Sequence, residues 1–283
     1  MSEHLDHAAV DAAARAIGPA DALVVCAGAG MGVDSGLPDF RGDTGFWKAY
    51  PPYARLGLAF VDVADPVHFH NDPELAWGFY GHRLGLYRAT VPHAGFEILR
   101  RWGARCVLGV KVFTSNVDGH FQRAGFASVL ETHGSIHRLQ CVTPCSDEVW
   151  PADDVAVDVD ENTMRASPPL PRCRRCGGLA RPNILMFGDL SFIPDAADAG
   201  EGDLAAFVAV LAARGRRLAV VELGAGKAIP TVRLRAERIA RAAGGQLIRI
   251  NPDGAAAGLR AGGTSLQAGA LAALTAIDRR LAG

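Results

Sequence analysis

Short apolar runs with little polar face constrain the fold of this chain more than any other feature. ALVVCAG (22–28), VKVFT (110–114), SVLE (128–131), NILMF (183–187), RLAVVEL (217–223) and QLIRI (246–250) have strand length. Strands apolar on both faces belong to a parallel sheet covered by helices. Helical spacing fills the intervals, in PHAGFEILRRW (92–102), DLAAFVAVLAARG (203–215), TVRLRAERIARAAG (231–244) and LQAGALAALTAIDRRL (266–281). The alternation predicts an α/β protein with a doubly wound parallel sheet.

Two stretches break the rhythm. Residues 43–91 begin rich in Pro, Gly and aromatics and continue into the helix-like DPELAWGFYGHRLGLYRA, while 138–180 hold four of the six cysteines around an acidic, Pro-rich loop. Both read as inserts that form a small second domain, leaving 1–42, 92–137 and 181–283 as parts of the large one. A length of 283 residues accommodates one large domain with such an insert.

With 29 Lys and Arg against 30 Asp and Glu the net charge is −1, so no global field draws the protein to nucleic acid or an anionic membrane. The apolar runs fall short of the ~20 residues that span a bilayer. The N-terminal MSEHLDHAAVDAAARAIG carries acids where a signal peptide needs positive charge. A cytoplasmic helix is expected there.

The first strand leads into GAGMGVDSGLPDFRG (28–42). Glycines after a buried strand let backbone approach a pyrophosphate, and the adjoining Asp39, Phe40 and Arg41 combine a carboxylate, an aromatic shield and a cation. A tight turn alone would also use such glycines. TSNVDGHFQRAG (114–125) starts where a strand ends, so Asn116 and Asp118 either meet a ribose or carboxamide or close an Asx turn. His133, in ETHGSIH (131–137), also follows a strand. It is either a general base or a satisfied structural histidine.

CVTPC (141–145) and CRRC (173–176) stand 27 residues apart. Such pairs let Cys141, Cys145, Cys173 and Cys176 converge on one tetrahedral, structural zinc with no open position. A mixed site is the competing pattern, because His133, His137, Cys141 and Cys145 recur every four residues. Gly134 and Pro144 oppose the continuous helix it requires. Cys26 and Cys106 read as buried core thiols.

In this order the segments resemble the sirtuins, NAD-dependent protein lysine deacylases, over about residues 21–251. The resemblance implies a Rossmann-like NAD-binding domain with a small zinc-binding and helical insert domain. It makes Gly28, Ala29, Gly30, Asp39, Phe40 and Arg41 part of a cofactor loop, and Ser115, Asn116, Asp118 and His133 the ribose and nicotinamide pocket. ELGAG, through Gly224, Ala225 and Gly226, and RIN, through Asn251, become the adenosine half. RPNILMFGD (181–189) becomes a substrate strand, with Phe187, Gly188 and Asp189 against an acylated-lysine protein or peptide. Tyr80 and Arg83 resemble the pair with which some sirtuins bind the carboxylate of succinyl- or malonyl-lysine; an amphipathic helix with Tyr80 in the core and Arg83 on the surface is the other reading.

The implied reaction is attack of the acyl oxygen on the ribose carbon as nicotinamide leaves. His133 then deprotonates a ribose hydroxyl, the hydroxyl attacks the amidate carbon and water completes the transfer; the products are nicotinamide, free lysine and O-acyl-ADP-ribose, with Asn116 and Asp118 in support. The chain departs from the family pattern at Gly32 (usually serine), Ser115 (glutamine), Asp189 (glutamate) and Gly224-Ala225-Gly226 (Gly-Thr-Ser). Two other activities fit the same residues: mono-ADP-ribosyl transfer to protein, and sensing of NAD or ADP-ribose without turnover.

Overall fold

Each apolar run satisfies its backbone by pairing with others, and the computed structural model shows which. It describes residues 5–38, 42–227, 229–256, 259 and 262–283, and for 42–44 and 195 the backbone alone. In chain order the elements are α1 (His7–Ile17), β1 (Ala22–Ala27), α2 (Gly42–Ala49), α3 (Pro51–Arg55), α4 (Phe60–Val63), α5 (His68–Asn71), α6 (Pro73–Ala89) and α7 (Ala94–Arg105). Then come β2 (Val110–Thr114), α8 (His120–Arg123), β3 (Val129–Glu131), β4 (Gly134–Cys141), β5 (Trp150–Pro151), β6 (Val159–Asp160), β7 (Arg165–Ala166) and β8 (Ala180–Ile184). The chain closes with α9 (Asp195–Ala213), β9 (Leu218–Leu223), α10 (Thr231–Ala243), β10 (Gln246–Ile250), β11 (Thr264–Leu266) and α11 (Ala270–Ala282).

Six strands form one sheet in the order β11-β10-β9-β1-β2-β3, and every pairing is parallel. The chain runs outward from β1 in one direction, then returns to β9 on its other side. This is the doubly wound order, with its switch point between β1 and β9. Both strands are buried along their whole length. Alternate residues of β1 serve opposite layers: Leu23, Val25 and Ala27 pack with α1, α7 and α11, and Ala22, Val24 and Cys26 with α9 and α10. Cys26 is the core thiol expected, and burial pushes its pKa up.

One expected strand lies elsewhere. NILMF does not enter the parallel sheet: β8 covers 180–184 and pairs antiparallel with β4, which also pairs with β5. Only Asn183 and Ile184 of that run are strand, and Leu185 and Phe187 are exposed in the loop that follows. The parallel sheet takes β11 instead, three residues with too little apolar character to register as a strand.

A separate apolar cluster joins the two inserts. Phe46, Tyr53, Trp77, Phe79 and Tyr80 pack with Ile136, Leu139, Trp150 and Ile184. The Trp77 indole donates to the Ala180 carbonyl at 2.9 Å, tying α6 to β8. β4 runs through the expected boundary at 137/138, and β8 through that at 180/181.

Candidate active site

At the switch point the carboxyl ends of β1 and β9 meet through backbone. Gly28 N–H donates to Leu223 O (2.9 Å), Gly30 N–H to Gly224 O (3.1 Å) and Gly224 N–H to Ile250 O (3.0 Å). A Cβ on Gly28 or Gly30 would lie 2.8 or 2.7 Å from Gly224 backbone, and Gly224 itself sits at φ +59°. The glycines therefore serve the close approach of two loops, which shapes the crevice floor. Ala29 stands exposed beside them. Asp39, Phe40 and Arg41 lie outside the described residues.

The β2 exit completes one wall. Thr114 Oγ1 donates to Ala27 O (2.9 Å) and accepts from Asn116 N–H (3.0 Å), and Ser115 N–H donates to Ala27 O (3.2 Å). Asn116 Nδ2 then reaches Gly28 O at 3.1 Å, so its amide is held over the glycine loop. Thr114 was not singled out from sequence, although a hydroxyl on the last residue of a strand before Asn-x-Asp is a readable signal. Asp118 is buried and its Oδ1 accepts from His120 N–H at 2.9 Å, the Asx geometry that the sequence left open.

His133 follows β3, mostly buried. Burial holds its imidazole below the usual histidine value, against a hydrogen bond to the Ser115 backbone that favours the charged form. The ring is thus neutral and basic at physiological pH. Its position is set from both sides, by Leu185 N–H on its carbonyl (2.9 Å) and by Gly134. At φ +74°, a Cβ on Gly134 would stand 2.1 Å from the Asn183 carbonyl oxygen. His137 is not a metal ligand: its Nε2 meets the Asp118 carbonyl at 2.9 Å, and β4 is a strand, which removes the helical face of the mixed site.

Asn251 follows β10, on the β9 side of the switch point. It is buried, its Nδ2 donates to Ala225 O (3.2 Å) and Asp253 O (2.8 Å), and its Oδ1 has no hydrogen-bond partner among the described residues. A buried acceptor of this kind calls for a donor, and a hydroxyl group has the chemistry to meet it. Gly224 and Ala225 are buried beside it and Gly226 is exposed. The residues present thus fit a dinucleotide lying across the strand ends.

The four clustered cysteines meet, with all four sulfurs within 4.8 Å of one another. Cys141 and Cys176 are 3.7 Å apart and Cys145 and Cys173 3.6 Å. Four thiolates about 2.3 Å from zinc sit about 3.8 Å apart at the corners of a tetrahedron. The set fits one structural zinc, saturated by sulfur.

The substrate residues divide. Phe187 is partly exposed, its N–H donates to Ala64 O (3.0 Å) and its ring meets Phe60 edge-on at 6.0 Å; Gly188 is exposed beside it. Asp189, in contrast, is turned inward. Its side chain is 0% exposed and forms a two-pronged ion pair with Arg181, at 2.7 and 3.0 Å. It also accepts from Ser191 N–H (2.9 Å), and its own N–H closes a turn on Met186 O (3.4 Å). Asp189 anchors the loop that carries Phe187.

Tyr80 is in the core as an amphipathic helix requires, but Arg83 is not on the surface. Only 7% of Arg83 is exposed. Its Nε and Nη2 donate to Tyr87 Oη at 2.9 and 2.6 Å, and its guanidinium lies 5.0, 5.9 and 5.2 Å from the Phe79, Tyr80 and Tyr87 ring centres. Tyr87, four residues on, escaped the sequence reading.

Fold and site together define a nucleotide-binding α/β protein with a four-cysteine metal module. Its family follows from sequence comparison: the chain belongs to the Sir2 family, whose profile matches residues 28–210. It is 31% identical over 237 residues to NAD-dependent protein deacylase 1 of Archaeoglobus fulgidus, covering 82% of this chain and 81% of that one. It is 34% identical over 228 residues to NAD-dependent protein deacylase 2 of Pyrobaculum aerophilum, covering 81% and 78%. Among solved structures, a Sir2 homologue in complex with NAD superposes with a TM-score of 0.72 at 26% identity, over 99% of this chain and 95% of that one. No helix among the described residues is long and apolar enough to cross a membrane.

Proposed function

We propose that this protein is an NAD-dependent protein lysine deacylase that releases nicotinamide and O-acyl-ADP-ribose, with His133 as general base. The observation that carries the reading is that a neutral, mostly buried imidazole, an amide held on the glycine loop and a buried acceptor at Asn251 without a partner among the described residues follow β3, β2 and β10, along one carboxyl edge of the sheet. NAD, as cosubstrate, supplies the electrophilic ribose carbon. The residues do the rest. Asn116 positions the nicotinamide ribose, and Asp118 offers its carboxylate to the carboxamide N–H. His133 takes a proton from a ribose hydroxyl, and its depressed basicity keeps it unprotonated for that step. Phe187 walls the lysine stem, and the peptide adds as an extended strand between the large and small domains. Zinc would hold the small domain together and take no part in the chemistry.

Arg83 and Tyr80 would meet the carboxylate of an acidic acyl chain. Tyr87 holds the Arg83 guanidinium in a defined orientation, and a planar guanidinium is suited to grip a carboxylate at two points. The site of action is the cytoplasm.

The test is NAD-dependent nicotinamide release with acetyl-lysine and succinyl-lysine peptides, followed together with the mass of the peptide. Release coupled to loss of the acyl group, abolished in His133→Ala, is expected. Transfer of ADP-ribose to protein with the acyl group retained would replace deacylation by ADP-ribosylation. Tight ADP-ribose binding without any release would make the protein a sensor.

A further inference from the structure

The loops leaving β9 and β10, residues 224–227 and 251–254, border the crevice on the side of Asn251. Ala225 and Gly226 bring no side-chain donor or acceptor to them. A guanidinium from below holds them instead. Arg233, in the first turn of α10, is 7% exposed. Its Nε donates to Ala225 O at 3.2 Å and its Nη2 to Gly254 O at 3.3 Å. The same Ala225 carbonyl accepts from Asn251 Nδ2, so one oxygen of the first loop and one of the second share a single rigid fork.

Beneath the fork lies a buried charge network. Glu222 Oε1 is 2.7 Å from Arg249 Nε and 3.8 Å from Arg233 Nε, and Arg249 Nη2 reaches Glu237 at 2.8 Å. Glu222 and Arg249 are fully buried. Apolar residues of similar volume would hold α10 on the sheet equally well. What they could not supply is two planar N–H donors aimed at carbonyls on separate loops.

We propose that Arg233 is a positioning residue for the adenosine half of the NAD site. It fixes loops 224–227 and 251–254, and with them Asn251, in the geometry that receives the dinucleotide. The proposal rests on the reading of the crevice as an NAD site. It places Arg233 outside the chemistry at His133.

The experiment compares wild type with Arg233→Lys and Arg233→Met, and with Glu237→Gln as a variant that loosens the network without touching either loop. Read out are KM for NAD, KM for the acyl-lysine peptide, kcat at saturating NAD, ADP-ribose affinity by calorimetry and the melting temperature. Lysine keeps the charge beside Glu222 but loses the fork, so Arg233→Lys folds and raises KM for NAD and Kd for ADP-ribose by roughly tenfold, with kcat and peptide KM unchanged. Arg233→Met raises them further. Glu237→Gln lowers the melting temperature and leaves KM for NAD alone. Wild-type NAD and ADP-ribose constants in Arg233→Lys overturn the proposal, as does a parallel loss in NAD KM, peptide KM and kcat. A wild-type protein that binds no ADP-ribose would overturn the NAD reading itself, a different result from either.

Discussion

Replacing Asp189 by asparagine separates a residue that binds substrate from one that holds the loop behind it. The carboxylate is completely buried against Arg181, whose side chain is likewise 0% exposed. Asparagine has nearly the same shape, so little packing is lost, but the guanidinium is left with an uncompensated buried charge. Breaking one partner of such a pair costs about 3–5 kcal/mol. At about 2.1 cal/mol/K per residue, the unfolding entropy of a 283-residue chain is roughly 0.6 kcal/mol/K. The melting temperature should therefore fall by about 5–8 °C. Trp77, bonded to the Ala180 carbonyl one residue before Arg181, reports on this region by fluorescence during urea unfolding. Because the 185–191 loop carries Phe187, peptide KM should rise with the loss of stability while KM for NAD stays constant. The double variant Arg181→Met with Asp189→Leu removes both charges and should recover most of the stability. Wild-type stability in Asp189→Asn, with peptide KM raised, would refute the inward role and return Asp189 to the substrate.

Burial lowers the His133 pKa, so the base form persists below the ordinary histidine value of about 6.5. The acid limb of kcat/KM should lie under that pH, and half-activity above pH 7 would contradict the assignment. One zinc per chain is expected by elemental analysis; prolonged chelation, or Cys173→Ser, should melt the small domain and abolish activity, whereas metal-free protein with an unchanged melting curve would remove the metal from the module. Arg83→Met should raise KM for succinyl-lysine peptide by about 30-fold or more, the cost of truncating one partner of a buried charge pair, and leave acetyl-lysine nearly unaffected. Equal effects on both peptides would make Arg83 a core residue only.

What the amino-acid order determines by itself is whatever repeats locally. The two-faced apolarity of residues 22–27 and 218–223 needs no knowledge of partners to demand a covered parallel sheet, and the helical spacing in 231–243 marks α10 almost to its bounds. Cysteine spacing likewise announces a metal, because each short pair already sits within reach of one ion and only the joining of the pairs is left to folding. Glycines and polar residues at strand ends mark the crevice for the same reason, since a sheet's carboxyl edge is a property of strand direction. Other features depend on neighbours far away in sequence, and tertiary structure alone decided them. The apolar run NILMF gives only its first two residues to a sheet, beside β4, and TSL becomes a strand because β10 lies alongside. Asp189 reads as part of a substrate strand, and only the fold turns its carboxylate inward onto Arg181. Arg83 reads either as a helix-surface cation or as the partner of an acyl carboxylate, and the three aromatic rings that close around it remove it from the surface. Charge and aromaticity along the chain give no direction to a side chain, because its direction is set by the packing of elements whose relative placement no local period encodes.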